Sequence, residues 1–526
     1  MLAVCACRGP DEISLGGMVA LSTEHFLSPT GADGDDRGTR DRPWKTFRYA
    51  LQRLVPGSML TLLTSASPYD DTTTGTLNVK CADTVIANSA TPNATPAMNG
   101  TVGMEIVVRA DEERKVFLQG NGSVPPVSLD SCQYWKIVGL HVESKDVADM
   151  LSAPDTGSVV ILDGTNANIT LARLLASHPN RYKRSNVIRI GDNSNGITVE
   201  ECELYDFHHN AFEAWRTSSI FLHRNYINSR HTGDIAGGYA SEDATRGDYG
   251  VFLEETNSVY VENNVVEDVA IGFGVMGRDM GVNAPPHTAP LDNNQLLGNV
   301  VLKPAVMGFR LDSRCQSAGS CDASHTVLNT DLGNDVVIGG TIGVWDAGSV
   351  NTRIHELSII NTARGIALIR EPQNVALQAT ATVVNTLVSG FQSVAFAAMD
   401  EMQWGFDHCD ASGGYALTAD YVPDDPQHVT SKVDVIPNLG GCLVYLPSAS
   451  PLNGAGVANG VGANILHRYD HGTQSSELLW NSTTGAFPCG ETVPDVNNDP
   501  LTGCIGLNLS GRLNVGTSGT GGCPLP

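Results

Sequence analysis

Apolar residues recur along this chain in two short phrases that keep a fixed order. The first reads apolar-x-apolar-x-x-Asn-x-apolar, with Cys sometimes in place of Asn. It occurs as Ile197, Val199, Cys202, Leu204, and again as Ile220, Leu222, Asn225, Ile227. Further copies are Val259, Val261, Asn264, Val266 and Trp404, Phe406, Cys409, Ala411, while Asn299 and Val301 keep its second half. Alternation with a period of two predicts strands with one buried side. The shared Asn or Cys then falls at a bend between two strands. Asn side chains stacked at such a bend can bond along the ladder and satisfy backbone groups of the inner turn.

The second phrase reads small-apolar-x-apolar. It appears as Ala211-Phe212-Glu213-Ala214, Gly250-Val251-Phe252-Leu253 and Gly272-Phe273-Gly274-Val275, then as Gly308-Phe309-Arg310-Leu311 and Gly365-Ile366-Ala367-Leu368. Ile188-Arg189-Ile190 is a weaker copy. The second phrase leads the first by a constant offset: Phe212 to Ile220 and Val251 to Val259 are both eight residues. Copies follow each other after 24 residues (Ile188 to Phe212) or 22 (Val251 to Phe273), and after 39 or 36 where loops intervene (Phe212 to Val251, Phe273 to Phe309). Two strands in fixed order, on a period of low twenties with variable loops, predict a β-solenoid. A propeller would need longer four-stranded repeats, and a sandwich would show hairpins without this phase-locking.

Before the repeats, Trp44 to Leu54 has helical period, with Phe47, Ala50, Leu51 and Leu54 on one face and Pro56-Gly57 as the stop. Such a helix suits the open end of a solenoid core. The expected organisation is an extension over 1–25, a strand and capping helix over 26–63, and the solenoid over 64–440. Loops are inserted at 229–249, 277–293 and 312–324, and a Gly- and Cys-rich C-terminal cap covers 441–526.

Composition agrees with tightly wound β-structure: of 526 residues only 17% are charged, and 55 are Gly. The net charge of -25 repels nucleic acid and anionic lipid, so neither is an expected partner. No stretch is apolar for the ~18 residues that a membrane span needs. The twelve cysteines suggest an oxidising compartment, with Cys315–Cys321 and Cys489–Cys504 as candidate disulfides and Cys202 and Cys409 as buried free thiols. The opening Met1 to Cys7 resembles the tail of a signal peptide, and Cys5 or Cys7 is a candidate lipid-anchor site. A secreted or cell-surface location, as a lipoprotein in the second case, is the expectation.

The opening segment, with Ser28-Pro29, Gly31, Asp33, Gly38-Thr39, Pro43-Trp44 and Thr46, resembles the pectate-lyase-like superfamily once the repeats are added. More narrowly, it resembles bacterial right-handed parallel β-helix repeat-containing proteins, as does the stretch Ser450-Pro451 to Ile465. The resemblance implies an all-β fold: a right-handed parallel β-helix with an N-terminal capping helix and a loop-rich C-terminal cap. Members include polysaccharide lyases, hydrolases, epimerases and proteins with no known activity. The paired-Asp arrangement of polygalacturonases and the Asp-Pro-His-Asp of alginate epimerases are not present, so no catalytic set is carried over.

The second phrase nominates a surface. Its flanking apolar residues point inward, so the middle residue points out. Stacked coils give an outward column of Arg189, Glu213, Phe252, Gly274 and Arg310, and a second of Gly191, Trp215, Glu254, Met276 and Asp312. Loops of this length beside one ladder can wall a groove for a linear polymer. Arg310, Arg278 and His231 are candidates for elimination, which needs a cation to neutralise a uronate and a base to take the acidified proton. Glu254 and Asp312, with Glu213, are candidates for hydrolysis, which needs two carboxyl groups. Arg189, Glu213, Trp215, Phe252 and Arg314 are candidates for substrate binding, the aromatics by stacking on sugar rings or by packing under the loops. Asp495, Asn497 and Asp499 alternate hard oxygen ligands and, with Asp33 to Asp36, are candidates for calcium (Ca2+).

The sequence thus predicts an extracellular protein that binds, and in one reading cleaves, a linear polysaccharide or cell-surface glycan. The alternative is a non-catalytic adhesive or structural assembly protein, with self-association.

Overall fold

The computed structural model describes residues 23–81, 94–122, 124–144, 158–178, 186–191, 193–229, 248–278, 291–314, 326–369, 380–398, 403–412, 419–422, 429–433, 443–458, 460–480 and 487. Within them the chain winds as a right-handed parallel β-helix. Each coil contributes strands to three parallel ladders, which we call the first, second and third faces.

One coil shows the order. Asn195–Glu200 lies on the first face, Glu203–Tyr205 on the second, and Asn210–Trp215 on the third. The next coil lays Ser218–His223 beside Asn195–Glu200, with Ile197 opposite Ile220 and Val199 opposite Leu222. The first phrase is therefore the first and second faces with the corner between them, and the second phrase is the third face. Inward residues of all three faces make one continuous core that includes Ile197, Leu204, Phe212, Val251, Phe273 and Phe309.

The corner between the first two faces turns on one residue of positive φ per coil, including Arg224, Asn263 and Asn334. The next residue is the shared Asn after Arg224 and Asn263, and Asp335 after Asn334. Cys202 N–H donates to Asn225 Oδ1 at 2.9 Å, Asn225 N–H to Asn264 Oδ1 at 2.9 Å, and Asn264 N–H to Asn299 Oδ1 at 3.0 Å. Each Nδ2 also reaches a main-chain carbonyl, those of Val199, Leu222 and Val261 in turn. The amide ladder thus satisfies groups that no water can reach. Cys202 and Cys409 take the same corner and are buried free thiols.

The small residue of the second phrase has an equally direct cause. A Cβ on Gly272 would stand 2.6 Å from Gly308 O and 2.7 Å from the Val301 side chain of the second face. The third-face strand enters so close beneath the second face that a larger side chain has no place.

The expected helix is present but short, Phe47–Leu51, with Thr46 as N-cap and its hydroxyl accepting Tyr49 N–H. Phe47, Ala50, Leu51 and Leu54 are all buried in the first-coil end of the core. Strands Glu24–Leu27 and Met59–Leu62 pair in parallel with each other, and the latter with Ile106–Ala110, so the first face already starts at Glu24. Strands Ile271–Arg278 and Met307–Arg314 run further than expected, which puts Asp312 and Arg314 in strand rather than loop.

The described part of the C-terminal region, 443–458 and 460–480, runs along the side of the helix. Asn385, Asn334 and Asn263, all at positive-φ corners, grip its backbone. Val457 N–H donates to Asn385 Oδ1 at 2.7 Å and Asn385 Nδ2 to Val457 O at 3.0 Å. Asn334 pairs with Asn464 in the same two-way manner, and Tyr469 N–H donates to Asn263 Oδ1 at 2.6 Å. Ile465, Leu479 and Trp480 cover outward residues of the second face, among them Tyr205, Tyr226 and Val300.

A disulfide joins Cys81 to Cys132, 51 residues apart. The candidate pairs Cys315–Cys321 and Cys489–Cys504, and Cys5 and Cys7, lie outside the described residues. No helix among the described residues is long and apolar enough to cross a membrane.

Candidate functional site

The third face carries both expected columns in register. Arg189 stands opposite Glu213, Glu213 opposite Phe252, Phe252 opposite Gly274, and Gly274 opposite Arg310. Trp215, Glu254, Met276 and Asp312 follow one another in the same way. Arg310 is continued by Trp345, which the sequence reading did not single out although Gly343-Val344-Trp345 repeats the phrase.

These columns differ in depth from the expectation. Arg189, Glu213, Trp215, Arg310 and Trp345 are half-buried, whereas Phe252, Glu254, Met276 and Asp312 are each less than a tenth exposed. The middle of the ladder is buried. Phe252 packs with Tyr249, Ile271 and Met307 in an apolar cluster on the outer side of the sheet, and the inserted loops it was expected to pack under lie outside the described residues. Trp215 has the Arg216 guanidinium 4.9 Å from its ring centroid, and its buried Nε1 has no hydrogen-bond partner.

Arg310 is the best-defined charge. Its Nε and Nη2 donate to Asp312 Oδ2 at 3.2 and 2.9 Å, and its Nη1 donates to the Tyr249 hydroxyl at 2.9 Å. The Tyr249 ring reaches across from two coils away. It can do so because the intervening residue is Gly274, where a Cβ would lie 2.6 Å from that ring. Asp312 Oδ1 is buried without a partner. Glu254 shares the column with Asp312 two coils off, about 10 Å between backbones at the usual strand spacing. Behind Asp312, the core carboxyl of Asp346 is pushed up to about 6 by desolvation, which outweighs its bonds to Ser349, with the charge of Asp312 adding to the rise.

Arg278 and Arg314 are register partners at the ends of their strands, but their side chains lie outside the description. His231 and the calcium candidates Asp495, Asn497 and Asp499 also lie outside the described residues. In the other acidic loop the carboxylates are engaged by protein groups. Asp33 accepts Lys45 N–H, Thr46 N–H and the Thr46 hydroxyl, Asp35 accepts the Tyr49 hydroxyl and Arg53, and Asp36 pairs with Arg42. This loop fastens the capping helix, and among the described residues no three metal-binding side chains converge.

A second polar group on the same face was not foreseen. Asn186, His209 and Asn210 gather around Glu213. Asn186 Nδ2 donates to Glu213 Oε2, and Asn210 Nδ2 lies 3.5 Å from the same oxygen. His209 Nδ1 lies 3.1 Å from Asn186 Oδ1 and 3.0 Å from Asn210 Nδ2, while its Nε2 is 3.9 Å from Asp248 Oδ2. Neighbouring His208 is buried, and desolvation lowers its pKa. The available signal was positional: Asn186 and Asn210 both stand two residues before the first inward apolar residue of their strands, Ile188 and Phe212.

No known family model and no curated protein matches the sequence. Among solved structures the chain is similar to a pectate lyase, Pel9A, at 13% identity over 83% of this chain and 93% of that one, with a TM-score of 0.40. It is also similar to the Dettilon tailspike protein (12% identity, 78% and 70% covered, TM-score 0.45) and to an alginate lyase from Paenibacillus sp. (13%, 73% and 95%, 0.38). These likenesses give no residue of this chain a role.

Proposed function

We propose that the third face binds a linear polysaccharide and cleaves it. One observation carries this: charged and aromatic side chains, from Arg189 and Trp215 to Arg310 and Trp345, stand in register along two columns of one face, interrupted only at Gly274 and Met276. A coil advances about 4.8 Å, a step comparable with one sugar unit of an extended chain, so equivalent positions on successive coils meet successive units. Of the two cleavages, the geometry favours hydrolysis. Asp312 already balances the Arg310 charge, which leaves less of it to neutralise a uronate. Glu254 and Asp312 are then the carboxyl pair, and their backbone spacing of about 10 Å allows the carboxyl separation of ~6.5–9.5 Å at which a water fits between acid and base. The Cys81–Cys132 bond suits a secreted or surface location.

The test is a screen of the purified protein against neutral and uronic-acid polysaccharides, with and without calcium. New reducing ends without ultraviolet-absorbing unsaturated ends support hydrolysis, and unsaturated ends support elimination with the arginines. Dependence on calcium would support a Ca2+ site. The alternative of a non-catalytic, self-associating surface protein draws on Val55, Met98, Val102 and Met104, apolar side chains left exposed near the first coils. Silence across the screen with concentration-dependent oligomers would favour it.

A further inference from the structure

We propose that His209 and Glu213 form a sugar-binding subsite, positioned by Asn186 and Asn210, on the other side of the buried stretch of the ladder from Arg310. The inference rests on the reading of the third face as a glycan site and names which part of it takes the other end of the chain.

The argument begins with orientation. An imidazole and a carboxylate on a surface normally sample several rotamers. Here Glu213 Oε2 accepts from Asn186 Nδ2, and His209 Nδ1, which makes one hydrogen bond, is within reach of Asn186 Oδ1 and Asn210 Nδ2; the two amides are 7% and 0% exposed. Burial fixes the amides, and the amides fix the two groups that solvent still reaches: the His209 side chain is 21% exposed and Glu213 is half-buried. Held carboxylates and imidazoles accept and donate to hydroxyl groups, so the chemistry fits a polyhydroxylated ring.

The second observation is a cost. Asn210 Oδ1 is buried without a hydrogen-bond partner, and such a group destabilises a fold by about 1–3 kcal/mol. The unpaired oxygen belongs to the cluster that orients His209 and Glu213, and a ligand hydroxyl is a group that could satisfy it.

The third observation is a connection. Tyr249 N–H donates to His209 O at 3.1 Å, and the Tyr249 hydroxyl accepts from Arg310. One residue therefore links the His209 cluster to Arg310. Glu213 and Arg310 lie in one column three coils apart, about 14 Å. A chain that touches both must span those coils.

The experiment is calorimetric titration of the full chain with oligouronates and, separately, neutral β-glucan oligomers of two to six units. In one series, affinity is expected to rise about tenfold between two and four or five units, and then to flatten. His209→Ala and Glu213→Gln should each abolish that rise while leaving the affinity for the two-unit oligomer within about twofold, and Arg310→Ala should weaken the two-unit oligomer itself. Affinity independent of length beyond two units overturns the subsite, and needs no variant to show it. A length-dependent rise that survives both His209→Ala and Glu213→Gln does the same. Binding of neither series, nor of any parent polymer, instead overturns the reading of the third face as a glycan site.

Discussion

Asn299 and Asp335 stand one coil apart at the first corner, where Asp335 Oδ1 accepts the backbone N–H of Asn299 at 2.6 Å and its Nδ2 at 3.1 Å. The amide ladder that starts at Asn225 therefore ends on a carboxyl. Desolvation pushes the Asp335 pKa well above the ordinary carboxylate range despite those bonds, and Oδ2 is buried without a partner.

Replacing Asp335 by Asn should extend the ladder and stabilise the protein. A carboxyl whose pKa is raised by folding binds more protons folded than unfolded, so its contribution falls as pH rises above the unfolded value near 4. Asp335→Asn should gain about 1–3 kcal/mol at neutral pH and remove that part of the pH slope. Urea midpoints from pH 4 to pH 8 for both proteins measure this, and a variant less stable at pH 8 would refute it.

His355 works in the opposite sense. Asp331 Oδ1 lies 2.9 Å from its Nε2 and Glu356 3.7 Å from its Nδ1, and together they outweigh desolvation and raise the imidazole to about 9. Its stabilisation is fully present below the unfolded value near 6.5 and is lost as pH rises through about 9. His355→Gln should flatten the stability profile between pH 6.5 and 9 and lower it most at the acid end. Thermal melts across that range decide it.

Gly272→Ala should destabilise by about 1–3 kcal/mol, because the added methyl meets both Gly308 O and Val301. Gly454→Ala, where the Cβ meets nothing but φ is positive, should cost about 1 kcal/mol through the backbone alone. The comparison separates close approach from backbone conformation, and equal losses would show that the second-face contact does not matter.

Trp480 is 1% exposed, and its Nε1 donates to Ile465 O at 2.7 Å over the second face. Trp480→Ala should cost about 3–5 kcal/mol and uncover Tyr226 and Val300. An increase in binding of a hydrophobic dye at native-like circular dichroism would report this. An unchanged melting temperature would show that the C-terminal segment does not hold the helix.

Order, period and direction were readable from the residues alone. Inward alternation of Ile197, Val199 and Leu204, the Asn at the corner and the Gly before Phe273 are local consequences of winding one chain around one core, so each copy repeats the message. That repetition also gave the third-face register of Glu213 with Phe252 and Arg310 with Gly274. What covers an outward side chain is a different matter. Phe252 and Glu254 point out by parity but are buried, and parity says nothing about the neighbours of an outward group. The Cys81–Cys132 bond joins residues 51 apart, which spacing along the chain does not reveal, and the path of 443–458 and 460–480 depends on Asn263, Asn334 and Asn385 being stacked within reach of it. The sequence determined the solenoid because its constraints are periodic and local. The tertiary structure alone decided the pairing of Arg310 with Tyr249 and Asp312 and the gathering of His209 with Glu213, because those contacts depend on where side chains end in space.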